Sequence, residues 1–203
     1  MEHQSAQASP LTREILARKI VHAVVGCALG ALAFAPRRIG VPLILLLAGY
    51  KLVAEMVRLR RADRRGDPFL GGGAMFREHE QRFASGAFFL VLGVAIVILG
   101  FPPSIAALGI LVMALADPAA EIVGRGLPMV RIRGKSLGGS AAFFAVGVAI
   151  VATLGYPVDC RGLLVILAGT AAEALSGLWG RVRIDDNLVI PLATAATAQA
   201  LSL

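Results

Sequence analysis

Residues 103–124 read PSIAALGILVMALADPAAEIVG, and the way this stretch is understood decides the fold. From Pro103 to Ala116 there is no charge, and the only ionisable groups before Gly124 are Asp117 and Glu121. About 20 mostly apolar residues are what a helix needs to cross a bilayer. Asp117 and Glu121 would then lie inside the membrane, where carboxylates are costly and are read first as functional groups.

The rest of the chain has the same character. Its 203 residues are 57% hydrophobic and 16% charged, with a mean hydropathy of +0.77, whereas a soluble domain carries about a quarter charged residues. This excludes an ordinary water-soluble globule, and the shortage of long polar stretches argues against disorder. Uninterrupted apolar runs at about 20–35, 39–57, 84–100, 103–123, 137–155, 162–179 and 188–203 predict an all-α, polytopic helical bundle of about seven spans. A polar leader, 1–17, precedes a single membrane-embedded domain, 18–203.

The net charge of +7 is explained by topology rather than by nucleic acid. Basic residues crowd the N-terminal segment (Arg13, Arg18 and Lys19), the 58–82 segment, the 124–136 segment and the 180–187 segment, whereas the intervening connections hold only Arg37, Arg38 and Arg161. Lys and Arg collect in cytoplasmic loops, so the N-terminus is expected inside and the C-terminus outside. An integral, multi-pass membrane protein follows, in the plasma (inner) membrane if the source is bacterial, with its basic segments and active site on the cytoplasmic side. Cys27 and Cys160 show neither metal-ligand nor disulfide spacing.

Several ionisable residues fall in the runs. Lys51 and Glu55, spaced i, i+4, are expected to neutralise each other on one helix face. His22 either faces a polar bundle interior or has a function. Asp117 precedes Pro118, and the residue before proline is pushed out of the α region, while Pro suits a first helical position and Asp an N-cap. The fourth span is therefore expected to be broken at Asp117-Pro118, with the restarted helix directing free N–H groups at an anion; a structural kink is the alternative. Glu121 lies one turn beyond Asp117, so both carboxylates can approach one cation. Asp117 and Glu173 each lie seven residues from the ends of their runs, at Gly124 and Gly180. That places both roughly 10 Å below the same surface at 1.5 Å per residue.

Two connections carry further polar groups. The segment GRGLPMVRIRGKSLGGS, Gly124 to Ser140, sets Lys135 and Ser136 among glycines, a composition that suits an anion although it lacks the spacing of a Walker loop. In RVRIDDN, Arg181 to Asn187, the residues Asp185, Asp186 and Asn187 offer hard oxygen ligands suited to Mg2+ and can also cap the following helix.

Taken together, RKIVH (18–22), REHEQRFASGAFF (77–89), ADPAAEIVGR (116–125), GKSLGGSAAFF (134–144), Glu173 and DDNLVIP (185–191) resemble the membrane-embedded, CTP-dependent lipid kinases, which include dolichol kinase, phytol kinase and the yeast-type diacylglycerol kinase. That family is distantly similar to phosphatidate cytidylyltransferases. The resemblance implies transfer of the γ-phosphoryl group of CTP, or another nucleoside triphosphate, to the hydroxyl of a lipid alcohol such as phytol, a polyprenol or diacylglycerol. It matches Arg18, Lys19, Asp117, Gly124, Lys135, Ser136, Gly139, Ser140, Glu173, Asp186 and Asn187 to positions of the family's motifs.

The roles that follow are a nucleotide site of Arg18, Lys19, Gly124, Arg125, Lys135, Ser136, Gly139 and Ser140. Mg2+ would be held by Asp117, Glu121, Asp186 and Asn187, and the catalytic groups would be Asp117, Glu173 and Lys135. The chain departs from the family pattern at Gly124-Arg-Gly-Leu-Pro128, where relatives often read GRRFG, and at Gly138, often acidic in relatives. The alternatives are a cytidylyltransferase-like nucleotidyl transfer and, in another class, a small transporter.

Overall fold

The computed structural model describes residues 11–60, 84–127, 130–132, 135–179 and 182–203. The stretch from Arg77 to Phe83, and Arg133, Gly134 and Arg181, lie outside the described residues.

Seven helical rods lie at the seven predicted places among the described residues. They are α1 (Arg13–Leu32), α2 (Arg37–Arg60), α3 (Gly86–Gly100), a composite rod from Pro103 to Gly126, α6 (Leu137–Thr153), α7 (Cys160–Leu175) and α8 (Asp186–Ala200). The composite rod is made of α4 (Pro103–Leu111), a π-helical turn (Val112–Ala116) and α5 (Asp117–Gly126). By length and composition α1, α2 and the composite rod can each cross a membrane, and α3 and α6 are apolar but shorter.

The composite rod corrects the sequence expectation. It does not break at Asp117-Pro118: Asp117 has φ −64° and ψ −46°, inside the α region, and α5 has no side-chain cap. Proline is accommodated instead by the π turn, which loosens the preceding helix by one residue and so relieves the clash between the proline ring and the carbonyl four residues back. No helix N-terminus opens into the membrane at this point.

The start of α1 also differs. Thr12 Oγ1 accepts from the Ile15 N–H at 3.3 Å as an N-cap, so the helix begins at Arg13, well before the apolar run. Arg18 and Lys19 are therefore helical residues rather than flanking charges, and the end of the polar leader is part of α1.

The rods pack through small residues, as membrane helices do when close approach is the main source of attraction. A Cβ on Gly26 would lie 2.5 Å from Ala114 Cβ, one on Gly93 2.5 Å from the Asn187 carbonyl oxygen, and one on Gly109 2.6 Å from that of Pro191. These contacts draw α1, α3 and α8 around the composite rod, whose Ala106, Leu108, Ile110, Val112 and Met113 are fully buried. On the outside, Val24, Leu46 and Val53 are each 60% exposed or more, an arrangement that suits lipid and not water.

Two antiparallel ribbons were not foreseen. β1 (Arg131–Ile132) pairs with β2 (Lys135–Ser136), and β3 (Gly177–Trp179) with β4 (Val182–Ile184). Each ribbon feeds a helix, α6 and α8 respectively. Gly177 sits at φ +122°, a region that only glycine occupies without strain. Alternating Val-Arg-Ile beside glycine, at 130–132 and again at 182–184, is the signal that marks both.

Candidate functional site

The polar groups gather at one end of the bundle because neighbouring helices alternate in direction. The first half of α1, the end of α5, the starts of α6 and α8 and the end of α7 meet there, and two lysines organise them.

Lys19, only 5% exposed, places its Nζ 2.7 Å from Asp117 Oδ2 and 2.7 Å from Glu121 Oε2. Glu121 also receives Arg125 at 2.8 Å and Arg18 at 3.4 Å. The two carboxylates thus converge on one cation, the ammonium of Lys19. Asp117 and Glu121 face α1 together because four residues make about one turn of α5.

Lys135, at the start of β2, forms the second centre. Its Nζ lies 2.7 Å from Glu173 Oε1 and 3.9 Å from Asp186 Oδ2, while Ser140 Oγ donates to Glu173 Oε2 at 3.3 Å. Burial works against the charge of Lys135, but Asp186 and Glu173 outweigh it and hold its pKa above the ordinary lysine value. The two centres lie within electrostatic reach of each other, Asp186 acting on Lys19 and Asp117 on Lys135.

The residues beside Lys135 have structural tasks. Ser136 caps α6, its Oγ accepting from the Gly139 N–H at 3.4 Å. A Cβ on Gly139 would lie 2.7 Å from the Ala120 carbonyl oxygen, and one on Gly124 3.3 Å from Ser136 Cβ. These glycines let α5 and α6 touch beneath the site. An Arg131 guanidinium nitrogen donates to the Gly124 carbonyl and ties β1 to the end of α5.

Asn187 acts as a strut. Its Nδ2 donates to Gly86 O at 3.2 Å and to Asp185 Oδ1 at 2.9 Å, joining α8 to α3. Asp185 caps α8 by accepting from the Asn187 N–H at 3.1 Å, and that N–H also reaches Asp186 Oδ1 at 3.0 Å.

Sequence reasoning misassigned Glu55. Instead of Lys51, it pairs with the fully buried Arg58 one turn on. Its carboxylate also accepts from the Ser85 N–H at 2.8 Å and the Ser85 hydroxyl at 3.0 Å. The i, i+3 spacing of Arg58 was visible in the sequence, but the partner on α3 was not.

Among the described residues no group of three or more His, Cys, Asp or Glu side chains is placed to hold a metal ion. The donor set nonetheless suits Mg2+, which is commonly held by one or two carboxylates with the remaining positions filled by phosphate oxygens and water. Asp117 and Glu121 supply such a pair, and Asp186 is the carboxylate 3.9 Å from Lys135.

Comparison with known proteins follows the same line. The chain is 33% identical over 141 residues to CTP-dependent diacylglycerol kinase 1 of Schizosaccharomyces pombe, a match covering 61% of this chain and 63% of that protein. It is 34% identical over 137 residues to phytol kinase of Synechocystis sp., covering 59% and 55%. An uncharacterized Rickettsia prowazekii protein is 27% identical over 166 residues, covering 78% and 80%. The matches thus span less than two thirds of the length of either named kinase. No protein-family model matches the chain, and neither does any solved structure. Over part of its length the chain is thus similar to a CTP-dependent diacylglycerol kinase and to a phytol kinase.

Proposed function

We propose that the chain is an integral-membrane lipid kinase that transfers the γ-phosphoryl group of CTP to a lipid alcohol at the cytoplasmic face of a multi-pass bundle. The observation that carries this reading is the pairing of two buried or half-buried lysines with four carboxylates at one end of the bundle. Phosphoryl transfer needs mainly positioning and charge neutralisation, and this cluster offers cations for the phosphates beside oxygen ligands for a metal. CTP as donor rests on the name of the Schizosaccharomyces pombe relative.

In this reading Lys135, Arg18, Lys19 and Arg125 take up the triphosphate, with Ser136, Ser140, Gly124 and Gly139 shaping its bed. Asp117, Glu121 and Asp186 would hold Mg2+, and Asn187 keeps Asp186 in place through the start of α8. Bound there, Mg2+ would neutralise charge on the β- and γ-phosphate oxygens. The lipid hydroxyl oxygen attacks the γ-phosphorus and the bond to the β,γ-bridging oxygen breaks. CDP leaves, and Glu173 accepts the hydroxyl proton. Ser140 fixes the orientation of that carboxylate.

The test is incubation of the purified protein with a panel of lipid alcohols and either γ- or α-labelled CTP, with ATP in parallel. Label reaching lipid from the γ position is expected. Transfer from the α position would identify a nucleotidyltransferase instead, and no transfer to any alcohol would overturn the kinase reading.

A further inference from the structure

Among the residues that α1 turns toward the composite rod are Lys19, His22, Gly26 and Gly30, spaced so that these four share one helix face. Lys19 meets Asp117 and Glu121, Gly26 lies against Ala114, and Gly30 against Leu111 and Ile110. His22 falls between the first two, and its Nε2 lies 3.4 Å from the Met113 carbonyl oxygen.

Met113 belongs to the π turn Val112–Ala116. In a π register a carbonyl pairs with the N–H five residues on. For Met113 that residue is Pro118, which has no N–H. Met113 is also fully buried, so water does not replace the missing donor, and a buried carbonyl without a partner is costly. The imidazole of His22 stands where that donor is needed, with Nε2 carrying the proton.

The π turn matters because it inserts one extra residue, and one residue turns an α-helix by about 100°. With the turn present, Asp117 and Glu121 both face Lys19. In an unbroken α register they would be rotated away from α1.

We propose that His22 is a positioning residue: by donating to the Met113 carbonyl it holds the π turn in register, and the π turn aims Asp117 and Glu121 at Lys19. This deepens the lipid-kinase reading and rests on it for its catalytic consequence, but the structural coupling between His22 and Pro118 stands apart from any substrate.

The experiment is a double-mutant cycle on the full chain in detergent, with His22→Leu, Pro118→Ala and the two combined, together with His22→Gln, whose amide keeps a donor. Pro118→Ala returns a backbone N–H to the Met113 carbonyl. His22→Leu is expected to lower Tm by about 4 °C in the parent chain and by less than half as much beside Pro118→Ala. In the phosphotransfer assay His22→Leu is expected to lower kcat about tenfold or more with little change in the KM for CTP, and His22→Gln to restore most of it. Equal Tm losses in both backgrounds would overturn the proposal, as would His22→Gln being as impaired as His22→Leu. The thermal cycle uses no substrate, so it decides the role of His22 even if the chain phosphorylates no lipid.

Discussion

Lys19 and Asp117 stand 98 residues apart in the chain, and their charged groups lie 2.7 Å apart in a buried contact. Removing one partner of a buried ion pair leaves the other charge stranded, at a cost of about 3–5 kcal/mol. Lys19→Met is therefore expected to lower Tm in detergent by roughly 10 °C. The combination Lys19→Met/Asp117→Asn should recover a substantial part of that loss, because the stranded carboxylate is gone. A double variant less stable than Lys19→Met would show that the pair is not what holds α1 to α5.

Asp117→Asn alone retains the side chain's size and a hydrogen-bonding oxygen. It is expected to fold, because Glu121 still neutralises Lys19, with a Tm loss smaller than that of Lys19→Met, and, in the proposed mechanism, to lose at least about a hundredfold in phosphotransfer, since it removes a charge that would hold the metal. A folded Asp117→Asn protein with full transfer would remove Asp117 from the mechanism.

The Lys135 centre separates binding from chemistry. In the proposed site Lys135→Ala would remove a triphosphate contact and should raise the KM for CTP roughly tenfold or more, whereas Glu173→Gln should lower kcat and leave that KM close to the parent value. Steady-state kinetics over a CTP titration distinguishes the two patterns. If both variants change KM alone, Glu173 is not the proton acceptor.

The pH dependence of the Lys135 centre has a definite sign. The pKa of Lys135 is raised on folding, so its stabilising contribution is complete below the unfolded lysine value of about 10.4 and is lost as pH rises through the higher folded value. The Tm difference between the parent and Lys135→Met should therefore be constant from neutral pH to about 10 and shrink above it. A difference that shrinks between about pH 6 and 8 would assign the effect to another group.

Close packing beneath the site is testable by adding one methyl group. Gly139→Ala places a Cβ 2.7 Å from the Ala120 carbonyl oxygen, and overpacking of this kind costs about 1–3 kcal/mol. Gly126→Ala, whose Cβ would meet nothing within 4 Å, should be neutral or slightly stabilising because alanine favours the helix. Thermal melts of the two variants should separate clearly.

Much of this site was legible before the fold was known. Charge placed Asp117, Glu121 and Glu173 as anomalies in apolar runs, and the carboxylate spacing on α5 implied that Asp117 and Glu121 share a face. That the cation they meet is Lys19 was not legible, because the apolar run at 20–35 hid the true start of α1 at Arg13. Glu55 was misassigned for a related reason: sequence spacing reports neighbours on one helix, whereas Ser85 and the burial of Arg58 come from packing against α3. The ribbons were missed because two- and three-residue strands are too short to outweigh the helical pattern around them.

Composition, apolar run length and the distribution of Lys and Arg were sufficient for a helical membrane protein with its polar residues gathered at one end, because hydrocarbon leaves few other ways to satisfy a backbone. They were not sufficient for the state of Asp117-Pro118. In isolation that pair favours a break, and a break is what local sterics predict. Only the tertiary structure supplies the close approach of Gly26 to Ala114 and the His22 ring beside Met113 O, and with them the composite rod absorbs its proline as a π turn. Long-range contacts, which no local preference encodes, thereby decide which way Asp117 and Glu121 face.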